Sequence, residues 1–398
     1  MPKIAERLNA LSESQTIAMA KKARELKAEG VPVISLSLGE PDFNTPASIK
    51  EAAKRAIDED FSHYTAVPGY DGLIRAIQTK FQRDNGLTYH ANQIMASTGA
   101  KQSLVNVLLA LVNPGDEVIL PSPYWVSYME MIKIAEGNPV LVEGKFENEF
   151  RVTAAQIEDA ITPKTKLIFL NSPSNPTGSV YTPEELEEIA SVLRKYPEVM
   201  VLSDEIYEHI CYDTPFKSFA SLPGMYDRTI TVNGVSKAFA MTGWRLGYLA
   251  GPEWLVSACV KMQGQFTSAT SSITQKAAEA ALIANPNDLV GEMLSAFRQR
   301  RDYVYQRLLK IPGIEVHLPE GAFYLFPKIS SFFGKSKGST KIETSNDLCV
   351  YLLNEAHVAL VTGEAFGAPN CLRISFATGM DDLEKACNAM EKALNELN

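Results

Sequence analysis

Short apolar runs alternate with amphipathic stretches along most of the chain. β-Branched runs recur at 31–38 (VPVISLSL), 116–121 (DEVILP), 166–171 (KLIFLN), 199–204 (VMVLSD), 229–233 (TITVN) and 246–251 (LGYLAG). Helix-patterned stretches lie between several of them, as at 101–112 and 182–196. The second of these opens with Thr182 in a capping position and Pro183 at the first helical position. This alternation predicts an α/β fold with a mainly parallel sheet covered by helices. In such sheets chemistry gathers where strands end and loops begin.

The texture changes after about residue 285. A long Arg-rich helix pattern (287–310) is followed by GAFYLFP (321–327), HVALV (357–361), CLRISFA (371–377) and a closing helix pattern (381–397). Three parts are expected: an N-terminal segment (1–40) packing with a smaller domain, a large domain (41–285) and a small α+β domain (286–398). The Gly/Ser/Lys-rich stretch 332–347 reads as a mobile surface loop. No internal repeat is present.

Composition narrows the function. Hydrophobic residues at 45% and charged residues at 21% are ordinary for globular chains, so disorder and fibrous repeats are disfavoured. A net charge of −9 with no basic stripe argues against a nucleic-acid partner. The five cysteines form no CxxC pair and no histidine cluster has metal-ligand spacing, so no metal is expected and reduced thiols in the cytoplasm are the simplest reading. The charged N-terminus lacks the apolar stretch of a signal peptide. No run approaches the ~20 apolar residues of a membrane span, so no membrane partner is expected.

Candidate chemistry sits at the strand ends. STGAKQSL (97–104) places Gly99, Ala100 and Lys101 before or at a helix N-terminus, where backbone N–H groups attract anions, although an ordinary capped helix reads equally well. Asp204 ends an apolar run with Tyr207 three residues on, and Asn175 follows another run in NSPSNPTG. A cap or a turn explains each alone. Trp125 in SPYWVSY could equally be core. Arg373 lies inside an apolar run, where a guanidinium needs either a structural ion pair or a substrate carboxylate. Lys237, in GVSKAFAMTGWRLG (234–247), has small and apolar neighbours, with Arg245 eight positions on.

One cofactor answers these needs together. Pyridoxal 5′-phosphate requires an amine for a Schiff base, an anion cradle, a carboxylate facing its ring nitrogen, donors to its phenolic oxygen and an aromatic ring beside its own.

GVSKAFAMTGWRLG resembles the lysine-attachment signature of the class I, fold type I aminotransferases. NPTG (175–178), SDEIY (203–207) and LRISFA (372–377) follow in the family's order and spacing, and the resemblance covers essentially the whole chain. SLGEPDF (37–43) and SPYWVSYMEM (122–131) are similar to the bacterial aspartate aminotransferases of the Iβ branch, some of which also accept prephenate. The resemblance implies that Lys237 forms the Schiff base, that Asp204 pairs with the pyridine nitrogen, and that Tyr207 and Asn175 donate to the phenolic oxygen. It implies that Trp125 stacks on the ring, while the amides around Gly99, Ala100 and Lys101, with Arg245, hold the phosphate. Tyr64 would reach the phosphate of a neighbouring subunit, giving a homodimer with shared sites. Arg373 would clamp the substrate α-carboxylate beside Gly39. One position departs from the pattern: several relatives have a phosphate-binding serine three residues before the lysine, where this chain has Gly234, so Ser236 is the candidate replacement.

The resemblance further implies a dicarboxylic substrate, with Lys101, Ser14 and Thr16 at the distal carboxylate. L-Aspartate and 2-oxoglutarate are the expected pair. Prephenate use stays open, because the lysine that assists it in bifunctional relatives is Ser12 here. An aminotransferase for alanine or aromatic amino acids and a lyase on the same fold are the rival readings. A sensor domain of a transcription regulator is the alternative from another class.

Overall fold

The computed structural model describes residues 4–9, 11–12 and 15–398. Seven strands form the central sheet: β1 (Ile94–Ser97), β2 (Glu117–Ser122), β3 (Asn138–Glu143), β4 (Thr165–Asn171), β5 (Met200–Asp204), β6 (Thr229–Gly234) and β7 (Gly247–Ala250). Their order is β1-β7-β6-β5-β4-β2-β3. Only β7 runs antiparallel to its neighbours. The parallel α/β reading therefore holds, and five expected strands appear within a residue or two of their apolar runs. β1 and β3 were not foreseen. β1 is only four residues long, and β3 carries Pro139, which the sheet tolerates because β3 is an edge strand.

Both faces of the sheet are buried, which is why its central strands read as continuous apolar runs. Leu167, Phe169, Leu202 and Val232 pack on one side; Ile168, Leu170 and Val201 pack on the other. The helix Pro183–Leu193 forms where expected. Thr182 and Glu185 close a capping box over Pro183, which satisfies first-turn donors without asking for an N–H from proline.

A three-stranded antiparallel sheet joins β8 (Tyr324–Leu325), β9 (Val361–Thr362) and β10 (Leu372–Ser375), with β10 in the middle. Near the N-terminus only Ile34–Ser35 of the predicted 31–38 run is strand, paired parallel to Val358–Ala359. The stretch expected as a mobile loop contains a hairpin, Ser336–Lys337 against Thr340–Lys341. Ser336 also exchanges backbone bonds with Asn398, so its polar composition reflects a tight turn at Gly338. Among the described residues no helix is long and apolar enough to cross a membrane.

A buried polar cluster lies behind the loop that follows β5. The Glu208 carboxylate accepts from Asn85 (3.0 Å), Asn233 (2.8 Å) and the amine of Lys80, which is itself fully buried. Burial pushes the Glu208 carboxyl up, yet Lys80, His209 and Asn85 outweigh it and hold it below its ordinary value. Asp84, Glu208 and His209 have metal-like spacing, but the Lys80 amine already sits on Glu208. Lys80→Met strands a buried carboxylate. The expected outcome is a loss of about 3–5 kcal/mol in urea unfolding, and an unchanged midpoint would refute it.

Candidate active site

The site forms at one edge of the central sheet, where the parallel strands end. Asn171 ends β4 directly opposite Asp204 at the end of β5. Ser97 ends β1 and Gly234 ends β6, and both pair with Gly247 at the start of antiparallel β7. Lys237, Arg245 and Ala100 thus leave three adjacent strands at the same edge. Helix α1 (Ala100–Leu111) begins there, with Gly99 at its N-cap in a left-handed conformation (φ 84°). A Cβ on Gly99 would run into the Arg245 guanidinium, so only glycine lets that cation lie against the helix N-terminus.

These residues line a cleft of about 240 Å³. Gly39, Ala100, Lys101, Trp125, Asn175, Asp204, Tyr207, Ser236, Lys237, Arg245 and Arg373 all contribute to its wall. The Lys237 amine donates to the Gly39 carbonyl at 2.6 Å. Burial lowers its pKa to about 8, with nearby Arg373 and Arg245 acting in the same direction and Glu40 and Asp204 opposing. The Lys101 amine lies 4.7 Å from the Trp125 ring centre.

Asp204 is 3% exposed. Its Oδ2 accepts from the Tyr128 hydroxyl at 2.7 Å and its Oδ1 from the Ile206 amide at 3.3 Å. Burial nevertheless raises its carboxyl to about 6, against the opposing pull of those donors and of Lys237. A cation placed against it would be strongly favoured.

Arg373, on β10, is 2% exposed. Nη1 donates to Asn175 Oδ1 (2.9 Å), Nη2 donates to the Ser37 carbonyl (2.7 Å), and Nε has no partner among the described residues. The guanidinium is stacked on the rings of Tyr324 (4.5 Å) and Phe366 (5.0 Å). Among the described residues, none of Lys101, Lys237, Arg245 and Arg373 forms an ion pair. Four cations face one carboxylate in a chain of net charge −9. The cleft is built for an anionic ligand.

The comparisons decide the family. Residues 31–390 match the model of aminotransferase class I and II. The chain belongs to the class I and II aminotransferases. This aminotransferase is 49% identical to a bifunctional aspartate aminotransferase and glutamate/aspartate-prephenate aminotransferase of Petunia hybrida, over 98% of this chain and 82% of that protein. The crystal structure of the aspartate aminotransferase from Rhizobium meliloti superposes with a TM-score of 0.97 at 44% identity, covering 100% of both chains. The Thermus thermophilus aspartate aminotransferase with maleate gives 0.93 at 37% identity, covering 99% of this chain and 100% of that one.

Not every expected residue enters the aminotransferase cleft. Tyr64 is 98% exposed and faces away from its own chain's packing. Ser14 lies outside the described residues, and so does the side chain of Thr16, whose backbone belongs to the helix Gln15–Ala28. At Gly234 a Cβ would come 2.9 Å from the Leu246 carbonyl oxygen, which explains why a side chain is not accommodated there, and Ser236 lines the cleft wall together with Thr242.

Six cleft residues went unforeseen: Leu104, Ile206 and Thr242, and three whose polar atoms bear on the site, Tyr128, Asn171 and Tyr324. Asn171 donates to the Asp204 carbonyl (2.9 Å) and accepts from the Asn175 amide (2.9 Å), tying the two strand ends together. The i, i+3 spacing of Tyr128 from Trp125 at the start of the helix Val126–Ile134 was the available signal. Nothing local marked Tyr324.

Proposed function

We propose that this aminotransferase exchanges the amino group between L-aspartate and 2-oxoglutarate, with pyridoxal 5′-phosphate held in the cleft by a Schiff base to Lys237. The observation that carries the reading is the Lys237 amine facing a cleft with one buried carboxylate and three further unpaired cations. The residues suit that cofactor. The α1 N-terminus and Arg245 offer a cradle for its phosphate, and Asp204, raised by burial, is poised for a protonated ring nitrogen. When bound, the cofactor supplies an electron sink for the carbanion left as Cα loses its proton.

The chain's own groups do the rest. Asp204 holds a proton at the ring nitrogen, and Tyr128 orients that carboxylate. Arg373 grips Asn175 through Oδ1, which leaves the amide Nδ2 free to donate to the phenolic oxygen beside the Tyr207 hydroxyl. Trp125 flanks the ring. Once displaced by substrate, the Lys237 amine moves a proton at Cα, a role suited to its lowered pKa. Arg373 presents its fork to the α-carboxylate beside Gly39, and Lys101 takes the distal carboxylate with Ser14 and Thr16. Two half-reactions on one site give ping-pong kinetics. Prephenate is a second substrate within this proposal.

Tyr64, turned outward, is suited to the phosphate site of a second subunit, so the working unit is a homodimer with shared sites. Each chain is proposed to comprise a large part (41–285) and a small part (286–398), the latter packed with residues 1–40. The five unpaired thiols suit the reducing cytoplasm.

Mixing purified enzyme with aspartate, alanine or phenylalanine, without any 2-oxo acid, tests the substrate. Aspartate is expected to convert the visible chromophore at least about tenfold faster than the others, and Lys101→Ala to erase most of that preference, at about 1.4 kcal/mol per tenfold. Faster conversion by alanine or phenylalanine would overturn the aspartate assignment and leave the cofactor reading standing.

A further inference from the structure

The hydroxyls of Tyr207 and Tyr324 lie 2.8 Å apart, and both residues are buried, at 3% and 0% exposure. Neither hydroxyl has another hydrogen bond among the described residues. Burial keeps both phenols neutral, with pKa values raised above the ordinary tyrosine range. Each oxygen therefore carries one proton, and the pair shares one hydrogen bond. If Tyr207 spends its proton on the cleft, Tyr324 must be the donor within the pair.

Tyr324 also touches the two other working parts of the site. It sits on β8 opposite Ser375 of β10, so Arg373, two residues from Ser375, is its diagonal neighbour on the same face. The guanidinium carbon is 4.5 Å from the Tyr324 ring centre. The Tyr324 hydroxyl also fills the space where Gly39 would carry a Cβ, and the Gly39 carbonyl accepts from Lys237.

We propose that Tyr324 is a positioning residue that donates to the Tyr207 hydroxyl, aims the Tyr207 proton into the cleft and ties that donor to the carboxylate clamp at Arg373. The inference rests on the cofactor reading above. A hydroxyl that accepts one hydrogen bond donates a stronger one, so Tyr324 strengthens the bond from Tyr207 to the cofactor's phenolic oxygen. The groups that face this pair are Asp204, Lys237 and Arg373, with Glu40 and Arg245 beyond Lys237 and Tyr128 on Asp204. Of these, Arg373 is the one that also lies against Tyr324.

The test is a pH titration of the visible band of the holoenzyme in Tyr324→Phe, Tyr207→Phe and the double variant, with thermal melts as a check of folding. With the cofactor bound, the titrating proton would be the one shared by the Lys237 nitrogen and the phenolic oxygen. After it leaves, that oxygen depends more on outside donors, so a weakened Tyr207 raises the midpoint. The expected result is an upward shift of a few tenths of a pH unit in Tyr324→Phe, a larger one in Tyr207→Phe, and no further shift when the first is added to the second. Gly39→Ala pushes on the same hydroxyl from the other side. Should Tyr324→Phe fail to fold, an upward shift in Gly39→Ala that vanishes in the Tyr207→Phe background carries the same weight.

A wild-type midpoint in Tyr324→Phe, or a shift that persists without the Tyr207 hydroxyl, overturns the inference while the cofactor reading stands. A wild-type protein with no Lys237-dependent visible band overturns the cofactor reading and this inference with it.

Discussion

Lys237→Ala is expected to lower kcat for amino transfer by about 10⁴-fold or more, because it removes the group proposed both to anchor the cofactor and to move the Cα proton. The electrostatics around this amine favour that double duty. Burial brings its pKa down to about 8, so roughly a tenth of the molecules carry a neutral amine at pH 7, against well under a thousandth at the ordinary lysine value. The sign of the linked stability follows. A lysine with a depressed folded pKa contributes fully above its unfolded value, and the contribution is lost as pH falls through about 8. At neutral pH the ionised amine costs the cofactor-free protein stability, and the alanine variant is relieved of that cost. Its cofactor-free melting temperature at pH 7 should therefore be no lower than wild type, while its visible cofactor band is absent. Near-wild-type turnover in Lys237→Ala would sink the assignment. A small exogenous amine that restores part of the proton transfer without restoring the band would separate the two roles.

Much of this site could be read along the chain because it is made at strand ends, and strand ends are punctuated. Asp204 and Asn175 each follow an apolar run, and Lys237 and Arg245 bracket the turn between β6 and β7. The rest was hidden by two physical facts. Tyr128 and Tyr324 bring a single polar atom on a large apolar body, and along a sequence such residues are indistinguishable from core. Their partners, Asp204 and Tyr207, are 76 and 117 positions away, so no local spacing announces the contact. The Lys80–Glu208 cluster joins residues from 80 to 233 for the same reason. Tyr64 shows the converse: its place in the family pattern was legible, yet a single chain leaves it 98% exposed, because what it is proposed to touch belongs to another subunit. The hairpin inside 332–347 was missed because Gly, Ser and Lys suit both a tight turn and an open loop.

Asp204→Asn is expected to lower kcat by about 10²–10³-fold, the range for losing one preorganised electrostatic partner, and at the same time to stabilise the cofactor-free protein at neutral pH. The opposition comes from burial. In the empty cleft the Asp204 carboxyl is raised to about 6, above the ordinary ~3.9 of an unfolded chain. A raised acid contributes its stability in full below the unfolded value and loses it as pH climbs through the folded one. Between about pH 4 and 6 the cofactor-free wild type should therefore lose about 2–3 kcal/mol from this residue alone. Asparagine has no such transition, and its Oδ1 can still accept from Tyr128 or Ile206. The variant's stability should be flatter across that window and its melting point at pH 7.5 higher. The proposed cofactor, once bound, should reverse the comparison, because a protonated ring nitrogen would favour the ionised carboxylate and asparagine cannot supply that charge. Melting curves from pH 4 to 8, with and without cofactor, should cross: the variant above wild type when empty, and below it when loaded. Parallel curves in both states would show that Asp204 does not carry its charge against the ring, and the residue would return to being a cap at the end of a buried strand.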